Sequence, residues 1–148
     1  MLPGDNLGLM VADLSAQVCQ ASPALAGVTW LIPRAEQVVV VDVAGVIVAA
    51  QHGHHVKGVT LEAVHKWWAG QTYGGLQAGL ATLLLMGHLH HLVVGEEGPR
   101  TVVLCPTQDG GSDWLEHTSG KGRGRTGTLT MVVGVDESPQ GWRDLQVV

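Results

Sequence analysis

Residues Val38 to Gln51 read VVVVDVAGVIVAAQ, the densest run of β-branched residues in the chain. Two runs rich in β-branched residues, Val38 to Val43 and Val46 to Ala50, flank a centre in which Asp42 and Gly45 stand at the first and last positions of a four-residue turn. That is the pattern of a β-hairpin. Apolar and polar residues do not alternate along either run, so both faces of the strands need cover, and helices on each side of the sheet are expected to supply it.

Working outward, Leu7, Met10, Val11, Leu14 and Val18 recur at helical spacing over Leu7 to Gln20, behind Asp5 and Asn6 as N-cap candidates and ahead of Ser22-Pro23. Between Val28 and Ile32 the pattern fits a short strand or a helical extension, and Pro33 interrupts either. Downstream, Thr60 and Glu62 open what reads as a long helix to about Leu85. Gly70, Gly74, Ala78 and Ala81 or Thr82 fall three to four residues apart along it, widened by Gly75 and Gly79, so one side would be nearly bare. Glycine costs a helix roughly 1 kcal/mol against alanine, which close approach of another backbone would offset.

His88 to Val94 then reads as a strand, Glu96 to Pro99 as a turn and Thr101 to Cys105 as its antiparallel mate. Gln108 to Gly127 is glycine-rich and aperiodic, a long mobile loop, and Thr128 to Val135 is a final strand running into Asp136-Glu137. Past Ser138-Pro139 one or two turns of helix are expected around Trp142 and Leu145. The expected fold class is α+β: a single domain over residues 1–148 with a five-stranded antiparallel sheet, the long helix on one face and the terminal helices on the other.

Composition bounds the function. The 148 residues fit one core, and the 45% hydrophobic and 14% charged content leaves apolar surface for a partner. A formal net charge of -5 gives no electrostatic reason to expect nucleic acid. Cys19 and Cys105 have no CxxC or His-Cys spacing and read as buried thiols of a reducing cytoplasm. Ala24-Leu25-Ala26 mimics a signal cleavage site, but Asp5 and Asp13 stand where a basic segment and an apolar core belong. Leu76 to Val94, the most apolar window, contains Gln77 and three histidines, so no membrane span is expected.

Three features, the VVVVDVAGVIVA hairpin, the small-residue helix with Ala69-Gly70 and TLTMVVGVDE as a last strand, resemble the Roadblock/LC7 family, and within it the MglB-like bacterial regulators of small Ras-like GTPases. The resemblance covers roughly Val38 to Glu137. It implies a non-enzymatic, cytoplasmic regulatory or scaffold protein that binds a small Ras-like GTPase and modulates its GTP hydrolysis. It also implies a homodimer whose interface takes Trp67, Gly70, Gly74, Gly75, Ala78, His88 and His90. Trp67 and Trp68 point about 100° apart on a helix, so one would cover the core while the other meets a partner.

Histidine is the conspicuous chemistry, with His52, His54 and His55 in one cluster and His88, His90 and His91 in another. A His-x-His pair on a strand puts both rings on one face, which suits zinc, and the first cluster resembles the start of a metallo-hydrolase signature without its aspartate. Surface histidines outnumber ligands, so no metal, cofactor or catalytic residue is assigned, and a metal-dependent hydrolase built on the two clusters stands as the alternative function. On a strand at a dimer edge His88 and His90 would crowd their symmetry mates, lowering their pKa values and weakening the dimer as pH falls. GKGRGRTG before Thr128 fails the P-loop test, because its lysine is not followed by Ser or Thr and a strand follows. Asp113, His117 and Ser119 lie close in sequence but lack a nucleophile elbow.

Overall fold

A computed structural model of the chain describes residues 7–34, 36–58, 60–108 and 126–148. Most of the expected mobile loop, the GKGR segment and Asp113, His117 and Ser119 lie outside the described residues. The chain divides into two compact units, Met1–Val39 and Val40–Val148. In the first, α1 (Leu7–Gln20) forms over the expected stretch and a 3-10 turn follows at Pro23–Leu25. The Arg34 guanidinium holds the Asp13 carboxylate at both oxygens, at 2.8 and 2.7 Å. Residues 28–33 adopt neither strand nor helix. The apolar stripe Leu7, Met10, Val11, Leu14 and Val18 is exposed along its length.

The second unit is built on a sheet of β1 (Val38–Val43), β2 (Val46–Gln51), β3 (Leu83–Met86), β4 (Val93–Glu97) and β5 (Arg100–Leu104), in the order β1-β2-β3-β5-β4. The expected hairpin is there. Ala44 and Gly45 both take positive φ, 48° and 85°, the left-handed pair that suits a two-residue hairpin turn, and Asp42 Oδ1 accepts from Gly45 N at 2.7 Å.

The antiparallel expectation fails one element later. β2 pairs with β3 in parallel, Val48 opposite Leu83 and Gln51 opposite Met86, and β3 pairs with β5 in parallel. The hairpin partner β4 runs antiparallel to β5. The sheet is therefore mixed, and the physical reason is the helix: α2 (Leu61–Tyr73) stops twelve residues short of Leu85 and acts as the crossover from β2 to β3. Thr60 Oγ1 caps its start by accepting from Ala63 N at 3.2 Å. Gly74 is its C-cap and Gly75, at φ 65°, turns the chain away into a 3-10 turn at Gln77–Leu80.

The terminal helix is also corrected. Residues Trp142–Val147 form a strand, β7, antiparallel to β6 (Leu129–Val133), with a register shift between Thr130 and Val132. This second sheet covers one face of the first: Leu129, Met131, Val133, Trp142 and Leu145 pack on Val46, Val48, Leu83 and Val103. Trp142 Nε1 reaches the buried Thr101 Oγ1 at 3.2 Å. α2 serves the other face through Val64 and Trp68, both fully buried, and through Leu61, which lies where a side chain on Gly95 of β4 would have to go. The expected sandwich of one sheet between a long helix and terminal helices is therefore not the fold.

Candidate functional site

Because β2 and β3 run parallel with Gln51 opposite Met86, their carboxyl ends lie side by side. Each gives way at once to a segment of glycine and histidine, His52-Gly53-His54-His55 after β2 and Gly87-His88-Leu89-His90-His91 after β3. In sheets of this kind ligands gather beyond the carboxyl ends of the strands.

The two segments meet through their side chains. His88 Nδ1 lies 3.1 Å from His52 Nε2, and the two rings stand edge to face with centroids 5.0 Å apart. The His54 ring is 5.7 Å from that of His52, and the His55 ring 3.6 Å from that of His54. Gly53 makes the approach possible: its φ is 107°, and a Cβ there would stand 2.8 Å from Met86 Cγ and 3.3 Å from His88 Cβ.

The backbone of the second segment is strained. His88 and His90 hold φ of 70° and 59°, a left-handed conformation that costs a residue with a side chain about 1–2 kcal/mol. Such strain collects where geometry serves a site. Desolvation, and then the charges of His88, His54 and His90, push the pKa of His52 below its ordinary value, which favours the neutral ring. Neutral imidazole is the metal-binding form.

The structure supplies two converging nitrogens and stops there: among the described residues no group of three or more His, Cys, Asp or Glu is gathered closely enough to hold a metal ion. The His88–His90 strand expected from the sequence is not one. β4 begins only at Val93, so strand alternation does not apply to these rings, and the imidazole His88 faces is His52 of the same chain. That removes the stated basis for a pH-sensitive dimer edge. Of the other residues expected at a dimer interface, Trp67 is half-buried and Gly70 exposed on α2, while Gly74 and Gly75 lie at its end. Ala78 is buried in its own chain, its carbonyl accepting from Trp68 Nε1 at 2.7 Å. These residues therefore do not form one continuous helix face. What sequence reasoning missed is Gly53, whose signal was a glycine set between histidines directly after an apolar strand.

No family model and no curated protein matches the sequence. Solved structures do. Vps29 from Entamoeba histolytica matches as a single mutant and as the wild type complexed with zinc, both with a TM-score of 0.51, at 16% and 17% identity over 76% of this chain. Chaetomium thermophilum Vps29 matches with a TM-score of 0.50 at 14% identity, covering 67% of this chain and 49% of that one. A predicted phosphoesterase from Streptococcus pneumoniae also aligns, with a TM-score of 0.40 over 51% of this chain and 40% of that one, at 17% identity. The chain spans about 60% of the length of the Entamoeba proteins. No helix among the described residues is long and apolar enough to cross a membrane. The Roadblock/LC7 resemblance is thereby corrected, and with it the non-enzymatic GTPase regulator it implied, because the fold of this chain aligns with Vps29 structures. At these identities the likeness establishes a Vps29-like fold and nothing beyond the fold.

Proposed function

We propose that this chain is a metal-dependent hydrolase of phosphoesters whose cation is held by the histidines at the carboxyl ends of β2 and β3. The observation that carries the reading is the 3.1 Å approach of His52 Nε2 to His88 Nδ1. Zinc–imidazole bonds of about 2.0–2.1 Å at a tetrahedral angle set two ligand nitrogens about 3.3 Å apart, so the pair fits one cation with little movement. A catalytic zinc commonly takes three protein ligands and keeps a position open, and a further imidazole such as His54, whose ring is 5.7 Å from that of His52, would complete the set after a change of rotamer. One of the Vps29 structures that this chain resembles is a complex with zinc, which supports a metal reading of this fold.

A bound divalent cation supplies Lewis-acid polarisation of a phosphoryl oxygen and a water acidic enough to attack at neutral pH. The protein's own part is to favour the unprotonated His52 and so keep it available as a ligand, and to fix His88 against it through the Gly53 approach. The free Cys19 and Cys105, neither in a disulfide, suit a reducing compartment, and the reading extends to a cytoplasmic location.

Tag-free protein given manganese or zinc is expected to hydrolyse bis(p-nitrophenyl) phosphate, with turnover removed by EDTA and by His88→Ala. Hydrolysis that survives both treatments, or its absence with either metal, contradicts the reading.

A further inference from the structure

A cleft of about 600 Å³ opens at the start of α2, lined by His55, Lys57, Thr60, Glu62, Lys66 and Trp67. Its volume is that of a small-molecule site. It adjoins the histidine pair through an unbroken run of rings, His88 to His52 to His54 to His55, the last of which is part of its wall.

Two features of the wall specify a ligand. Lys57 and Lys66 are exposed cations with no carboxylate partner among the described residues, although Glu62 lines the same cleft one helical turn before Lys66. Trp67 is the half-buried neighbour of the fully buried Trp68, so its indole is turned away from the core that Trp68 fills. Two ammonium groups and one carboxylate leave the wall net positive beside a flat apolar ring. Its position is held from both ends, by the turn in which Val56 N donates to Gly53 O at 3.0 Å and by the Thr60 cap on α2.

We infer that this cleft receives the leaving-group half of the phosphoester, and that this half carries a second anionic group and a planar ring, as a nucleotide does. Lys57 and Lys66 hold the anion and Trp67 the ring, so that the reacting phosphoryl group lies toward His52 and His88. The inference rests on the hydrolase reading for its chemistry but not for its binding, which needs no metal.

The test is titration calorimetry of EDTA-treated, tag-free protein with ADP, and separately with adenosine. ADP is expected to bind with a dissociation constant at or below about 1 mM, the weak end for a ligand of its size. The exposed double variant Lys57→Gln, Lys66→Gln is expected to weaken ADP binding about tenfold or more, and Trp67→Leu about fivefold. Adenosine, lacking the anion, should bind much more weakly than ADP. Unchanged ADP affinity in the lysine variant, adenosine binding as tightly as ADP, or no ADP binding to the wild type each overturns the inference. Titration of the same proteins with zinc and with manganese separates the two claims: either metal bound without ADP sinks the cleft alone, whereas ADP bound with neither metal leaves the cleft standing and removes the hydrolase.

Discussion

Trp68→Ala is expected to cost about 3–5 kcal/mol of unfolding free energy, the range for removing a fully buried aromatic side chain. Trp68 has no exposed surface, donates from Nε1 to Ala78 O at 2.7 Å and lies under the Arg100 guanidinium, 4.9 Å from the ring centroid. Arg100 in turn donates to Gly79 O at 2.8 Å. The same side chain thus joins α2, the 3-10 turn and β5. No neighbour can collapse into the space, because the turn is already in contact with the helix backbone: a Cβ on Gly79 would stand 2.6 Å from Thr72 Cα. With about 5–15 kcal/mol available to a domain, such a loss brings the protein close to unfolding at 37 °C. Trp68→Phe keeps most of the packing and should lose the smaller part, about 1–2 kcal/mol for the hydrogen bond and the missing ring. Urea unfolding followed by circular dichroism measures both, and a loss under about 1 kcal/mol for Trp68→Ala would contradict the packing described.

At the histidine edge, His52→Ala or His88→Ala should lower zinc affinity by at least about 100-fold, since removing an outer-shell partner of a ligand alone costs 10–100-fold. The effect has a pH signature. The pKa of His52 lies below its unfolded value, first through desolvation and then through the charges of His88, His54 and His90. Between the folded and unfolded values the unfolded chain binds the extra proton, so stability rises with pH across that window. The contribution of His52 is therefore fully present above about pH 6.5 and is lost as pH falls through the lowered folded value. Zinc competes with protons for the same lone pair, and the lowered pKa should carry zinc binding to more acid pH than an isolated histidine would allow. Calorimetry at several values between about pH 5 and 8 checks this, and zinc affinity that does not weaken toward acid would contradict a histidine site.

The sequence made the two hairpins plain and hid what joins them. β1 and β2 are joined by Ala44-Gly45, and β4 and β5 by Gly98-Pro99, where Gly98 takes φ 59°. Both are turns with a chemical signature. β3 has none: LLLM is four apolar residues without a period, buried on both faces, and such a run cannot be told from the end of a helix by pattern alone. The stop signal was present in Gly74-Gly75, a C-cap followed by a left-handed glycine, but it also fits a bare helix strip. One missed strand converts a crossover into an antiparallel meander and changes the fold.

β7 misleads for a different reason. Trp142 and Leu145 are three apart, a helical spacing, yet both pack on the same core. The register shift opposite Thr130 and Val132, with Asp144 at φ 53°, inserts an extra residue that returns Leu145 to the face of Trp142. A bulge thus imitates a helix. That the paired tryptophans could not both enter the core was legible, because adjacent residues on a helix cannot share one face, and it is Trp68 that is buried. The histidine clusters stood out from composition alone, but their meeting depends on the parallel register of β2 and β3, which is long-range and invisible in either cluster by itself.

Zinc K-edge X-ray absorption of tag-free protein loaded with one equivalent of the metal tests the histidine pair most directly. The wild type should show at least two imidazole nitrogens at about 2.0–2.1 Å, and the His52→Ala, His88→Ala double variant should lose that shell together with the bound metal. Zinc held without imidazole ligands, or with the same shell in the double variant, would contradict the assignment of His52 and His88 as the core of the site.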